Sequence, residues 1–184
     1  MVQDAELILT KNRILQKAHL LMQDVQEQMQ ETVQNSGAGL FMVPPKISKG
    51  ENYLGLPYVV LDYPRIANSS DLCFVRSFFW WGHFFSSTLQ LSGSFQTQNS
   101  FRLVQAYDAL VERQYYIGIQ ADPWQHHFEP DNYQLIQDLQ RPAFEQHLHT
   151  HPHIKIAARW PLQEWNTAAM RLWESWRFLT ALVS

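Results

Sequence analysis

Cysteine is nearly absent: Cys73 is the only one among 184 residues. A disulfide framework is therefore excluded, and the thiol sits inside the apolar run Leu72–Val75. Glycine and proline are also sparse, at seven and nine residues. That excludes a fibrous or low-complexity chain, because 46% of residues are apolar and can supply a core. No excess of positive charge exists either. The formal charge is −3 and no Lys/Arg cluster marks a groove, so nucleic acid is not an expected partner.

Long hydrophobic runs are missing as well. The nearest approach, Leu72 to Leu91, is broken by Arg76, His83, Ser86, Thr88 and Gln90, and a central arginine alone costs about 2.5–3.5 kcal/mol on insertion into a bilayer. No membrane span is expected. The opening residues, with Asp4 and Glu6 ahead of any apolar run, lack the basic start and cleavage site of a secretory signal, so the expectation is a soluble cytoplasmic protein. A chain of this length is expected to form a single domain over residues 1–184.

What is present is periodicity. Leu162, Trp165, Ala169, Leu172, Trp176, Leu179 and Val183 recur at alternating intervals of three and four, which predicts a terminal helix over 161–183 with one apolar seam. Pro161 suits its first position, where a missing N–H costs nothing. Residues 4–34 contain no proline or glycine and are rich in Gln, Leu, Met and Glu, which predicts one long helix over 1–36. At about 1.5 Å per residue it would measure roughly 45 Å, so it must span the body or protrude. Asn35, Ser36, Gly37 and Gly39 supply its stop. The seam of the terminal helix should pack on the protein's own sheet, or pair with the first helix within one chain or across a homodimer.

The middle of the chain, 53–160, reads mainly as sheet with an inserted helix. Strands are expected over Leu56–Tyr63, Leu72–Trp81, His83–Leu91, Tyr115–Gln120 and Ile154–Trp160, with Pro64 to Asp71 as punctuation. In the third, Phe85, Leu89 and Leu91 alternate with Ser86, Thr88 and Gln90. Trp80-Trp81-Gly82-His83 fits either a tight hairpin or a bulged bend, the hairpin being favoured. Helical spacing returns over Ser100–Glu112, and Tyr133–Leu139 reads as a helical turn or two. The fold class is thus α+β: an antiparallel sheet of about five strands with the long N-terminal and C-terminal helices packed on one face.

Two groups of residues are candidates for chemistry. Asp62, Arg65, Arg76 and His83 are polar residues set among aromatic strands, where an unpaired buried charge is costly. They would line an aromatic cleft in which an arginine meets a carboxylate or phosphate; the structural alternative is one Asp62–arginine ion pair. His147, His149 and His151 belong to an H-x-H-x-H-P-H run ending at His153, and alternate histidines of a strand could share a divalent metal ion. Pro152 and the helical look of the preceding residues weigh against that and favour a polar loop. A Cys73–His83 nucleophilic pair lacks a third group, and Ser92-Gly93-Ser94 lacks both the outer glycines and the strand-to-helix setting of a nucleophile elbow. The best reading is a non-catalytic protein that binds a small molecule or a protein partner through an aromatic-lined cleft. The alternatives are a histidine-based metal-binding protein, including a metal-dependent hydrolase, and an assembly protein that dimerises through its terminal helices. No cofactor is expected beyond the divalent metal that the histidine reading requires.

Overall fold

The computed structural model describes residues 5–34 and 39–184. Helix α1 (Ala5–Gln34) is followed, after a 3-10 turn at Gly39–Phe41, by the strands β1 (Lys46–Tyr53), β2 (Leu56–Asn68), β3 (Asp71–Trp80) and β4 (Phe84–Ser92). Next come α2 (Ser94–Gln105), α3 (Tyr107–Glu112), β5 (Tyr116–Gly118), β6 (Tyr133–Leu135), α4 (Arg141–Thr150), β7 (Ile154–Pro161) and α5 (Trp165–Ala181). All seven strands form one sheet in the order β1-β2-β3-β4-β7-β5-β6, and every pairing in it is antiparallel.

The five expected strands are all present, with changed bounds, and two more join them. Strand β1 has the polar sequence KISKGENY and carries no apolar alternation; its lysines suit a strand that borders the sheet. Strand β6 is three residues long and leads into a 3-10 turn, Ile136–Asp138, where a helical turn was expected. Strand β2 runs on through Pro64 to Asn68, and its register shifts between Asp62 and Arg65. Proline is tolerated there because β1 pairs with β2 only as far as Lys46↔Asp62, which leaves Pro64 no partner on that side to donate to. The β3–β4 link is a hairpin: the His83 N–H donates to Trp80 O over 3.1 Å, and Gly82 takes the positive φ of 74° that the turn needs. The expected helix over 100–112 is two helices, broken at Ala106. The stop expected at Asn35, Ser36 and Gly37 lies outside the described residues.

Alternation gives the sheet two unlike faces. On one, Val59, Leu61, Val75, Phe79, Phe85, Leu89, Ile154 and Ile156 are buried in the same core as Ala18, Met22, Val25 and Met29 of α1 and Ala168, Leu172, Trp176 and Leu179 of α5. The α5 seam therefore packs on the chain's own sheet and lies beside α1 as well. Trp165 points edge-on at Phe79 and Phe85, with centroids 5.9 and 5.3 Å away. Trp176 stacks on Tyr63 at 6.1 Å and donates its indole N–H to Tyr63 O at 2.6 Å. Burying each such side chain is worth about 1.5–3 kcal/mol. Burial in α1 begins only at Ala18; Leu7, Ile8 and Leu9 are 56, 58 and 60% exposed, so the first turns of the helix stand clear of the core.

On the other face, Val60, Phe78, Trp80, Phe84 and Ala157 form a smaller cluster with Phe128 and Tyr133. Phe128 belongs to the connection between β5 and β6, which folds back over the sheet. Among the described residues no helix is long and apolar enough to cross a membrane.

Candidate functional site

A groove of about 610 Å³ lies where the sheet's pairing stops short, within the range typical of small-molecule sites. Strand β5 meets β7 only through Tyr116↔Ala157 and Ile117↔Ile156, so Ala158 to Pro161 have β4 on one side and no strand on the other. Main-chain direction follows from the neighbouring pair. Ile119 N–H donates to Asn132 O and Ile136 N–H to Tyr115 O, so the odd residues of β5 turn toward β6 and Tyr116 turns toward Ala157. Antiparallel pairing alternates with every residue. Arg159, two residues beyond Ala157, therefore directs its N–H and C=O toward the open side. Pro161 has no N–H to offer and closes that edge.

The groove's apolar walls are Phe84, Tyr116 and Trp160, and its polar groups are His83, Arg113, Arg159, Glu164 and Arg171. The Arg159 guanidinium lies over Tyr116 and Phe128, at 5.6 and 5.3 Å from their centroids, and that of Arg113 lies 4.6 Å from the Phe178 centroid. Such stacking holds the cation without neutralising it. Among the described residues neither arginine has a carboxylate within 4.0 Å. Arg171 does: its Nε is 2.7 Å from Glu164 Oε2. A smaller cavity of about 190 Å³ on the helix side of the same edge shares Arg113, Trp160 and Arg171. Arg113, Arg159 and Arg171 against Glu164 in the groove and Glu174 in the smaller cavity leave this edge with an excess of positive charge on a chain of net charge −3.

Of the four residues singled out in the strands, only His83 lines this groove. It sits in the β3–β4 hairpin with its ring stacked on Trp80, centroids 3.6 Å apart and planes 10° apart. Asp62 and Arg76 face each other across β2 and β3 and form a two-bonded ion pair, Nε–Oδ1 2.8 Å and Nη2–Oδ2 2.9 Å. Burial alone would lower the Arg76 pKa, but the hydrogen bonds and charge of Asp62 outweigh it and hold the guanidinium protonated. Arg65 turns elsewhere, donating from Nε to Pro44 O at 2.7 Å. These four do not share one cavity.

The Asp62–Arg76 pair anchors a polar layer beneath the β5–β6 connection. Arg76 Nη1 lies 3.0 Å from His126 Nε2; because arginine can only donate, His126 accepts there and carries its proton on Nδ1. Burial first, and the charges of Arg76 and Lys155 second, push the His126 pKa well down. Lys155, buried at 1% exposure, donates to Gln125 O and lies 4.8 Å from the Tyr133 centroid. Burial brings its pKa down to about 7.

The histidine run is mostly helical. α4 extends to Thr150, so His147 and His151, four apart, share a side and stack at 4.6 Å, with His153 edge-on to His151 at 4.7 Å. His149 lies exposed, away from them. A strand would have aligned His147, His149 and His151; the helix instead selects His147 and His151. Their nitrogens face main-chain oxygens: His147 Nε2 lies 2.9 Å from Gly118 O, and His151 reaches His153 O at 2.9 Å and Ile119 O at 3.3 Å. They tie α4 to the end of β5. Among the described residues no group of three or more His, Cys, Asp or Glu is placed to hold a metal ion. Cys73 lies buried in the core under the helices, its thiol pushed up to about 12 by burial, and remains protonated and unreactive. Ser92-Gly93-Ser94 does make a strand-to-helix turn, contrary to expectation. Its groups are engaged structurally, Ser92 Oγ donating to Ser70 O and Ser94 N–H to Asp71 Oδ1 at 2.9 Å each.

The residues that sequence reasoning did not single out are Arg113, Arg159 and Arg171. Arg159 stands at an outward position of the alternating β7 and Arg171 on the polar side of α5, and each alone reads as a solvated charge. Their meeting depends on the crossover that sets β7 between β4 and β5. The chain matches no protein-family model, no curated protein and no solved structure.

Proposed function

We propose that the protein is a non-catalytic binding protein whose ligand is a small organic anion with an apolar body, seated in the groove along the open edge of β7. The observation that carries this reading is that Arg113 and Arg159 both line the groove with no acid partner among the described residues, the Arg159 guanidinium resting on Tyr116 and Phe128 and that of Arg113 on Phe178 across the sheet's edge. A carboxylate or phosphate supplies the missing charge, and Arg159 N–H adds a main-chain donor. Phe84, Tyr116 and Trp160 offer the surface for a ring or short chain. The buried Asp62–Arg76 pair holds the sheet beneath and takes no part in recognition.

The test is titration with benzoate and phenyl phosphate, followed by Trp fluorescence and calorimetry. Saturable binding is expected, weakened about tenfold by Arg159→Ala or Arg113→Ala, as for loss of one charged hydrogen bond. Absence of saturable binding by about 10 mM, weaker than ligands of this size normally achieve, overturns the proposal. A second reading, association of two copies through α1, is favoured by the exposure of Ile8 and Leu9. Light scattering after size exclusion decides it: a dimer that Ile8→Lys and Leu9→Lys return to monomer supports it, and a wild-type monomer ends it.

A further inference from the structure

Glu164 occupies an unusual place for a surface carboxylate. It lies in the 3-10 turn between β7 and α5, at the position that caps α5, yet its side chain makes no capping bond. The carboxylate instead turns into the groove toward Arg171 Nε, while its main-chain oxygen accepts from Thr167 Oγ1 at 3.1 Å. Glu164, held by Arg171 alone, is thus an anion of the chain's own at the wall of the groove that Arg113 and Arg159 also line. Glu164 and Arg171 meet through one close N···O approach, and the buried Glu164 Oε2 makes no hydrogen bond there, so the seat already holds a carboxylate whose acceptor capacity is unused.

Resting on the groove reading above, we propose that the ligand's anionic group is a carboxylate, and that it binds by replacing Glu164 at Arg171. The incoming group meets Arg113 and Arg159 from the open side, and its apolar body lies against Tyr116 and Trp160. Glu164 sets both selectivity and affinity. It must give up its partner, so a ligand that cannot approach Arg171 Nε as closely loses by the exchange. Only side chains move; α5 keeps its main-chain anchor through Thr167.

The experiment compares wild type, Glu164→Gln, Arg171→Gln and the double variant, each titrated with benzoate and with phenyl phosphate, circular dichroism confirming the same fold. Glu164→Gln should tighten benzoate about fivefold, the upper range for a solvent-exposed ion pair, and Arg171→Gln in that background should erase the gain. Two results overturn the carboxylate assignment: a gain for phenyl phosphate equal to or above that for benzoate, or a gain that survives Arg171→Gln and so reflects through-space repulsion alone. Binding by wild type that Glu164→Gln leaves unchanged also overturns the exchange while leaving the groove reading intact. Loss of all binding in every form overturns the groove reading itself.

Discussion

Lys155 offers the most direct test of how the sheet's second face is built. Its ammonium is buried, has no carboxylate partner among the described residues, and contacts Gln125 O and the Tyr133 ring. Burial lowers its pKa from 10.5 to about 7; the Arg76 charge adds to this and Asp122 opposes it. Between those two values the unfolded chain holds a proton that the folded chain has released, so stability rises with pH. From pH 7 to pH 9 this group should add about 2 kcal/mol, at 1.36 kcal/mol per pH unit reduced by half-titration at the lower end. Cys73 acts in the opposite direction, since its folded thiol lies near 12 against 9.0, but up to pH 9 it takes away less than about 0.5 kcal/mol. Urea unfolding at pH 7, 8 and 9 at fixed ionic strength measures the slope. Lys155→Met keeps the buried methylenes and removes the titrating group, so its stability should be nearly flat over that range. Equal pH dependence in wild type and Lys155→Met would refute the assignment of a neutralised lysine beneath the β5–β6 connection.

Acid should act through the histidines in the same sense. The pKa of His153 is pushed down to about 4 by burial first and by His151 second, so stability present above pH 6.5 is lost as pH falls toward 4. Its share at pH 5 relative to pH 7 is about 2 kcal/mol. Urea midpoints at the two pH values in wild type and His153→Gln check this, the variant losing less. Trp176→Ala removes a core indole together with its bond to Tyr63 O and should cost about 3–5 kcal/mol in thermal or chemical unfolding; a loss under about 1 kcal/mol would contradict its place in the core.

Patterned segments were the legible ones. The three-and-four seam of α5 is a local consequence of burial on one side, although the α-helix begins at Trp165 after a 3-10 turn and Pro161 ends β7 instead of opening the helix. Strand β4 formed where its alternation placed it, but the β5–β6 connection covers its polar face too, so Ser86, Thr88 and Gln90 are buried. Strand β1 escaped because a border strand can be polar throughout, and β2 ran past Pro64 because the missing donor falls where no neighbour asks for one. The candidate site was less legible. Arg76 reads from sequence as a binding residue, yet a cross-strand aspartate consumes it. Arg113, Arg159 and Arg171 come from three elements whose adjacency depends on strand order, and no local signal encodes it.

The pairing of α1 with α5 has a consequence for biosynthesis. Trp173 Nε1 reaches Thr32 Oγ1 across 141 positions, and Trp176 reaches Tyr63 O across 113. Until the ribosome has released α5, the large aromatic surface formed by β3 and β4 has only part of its cover. Such remote closure makes for slow folding and a nascent chain that is prone to stick. Chaperone dependence during translation should therefore fall if α5 is moved, by circular permutation, to a position directly ahead of α1.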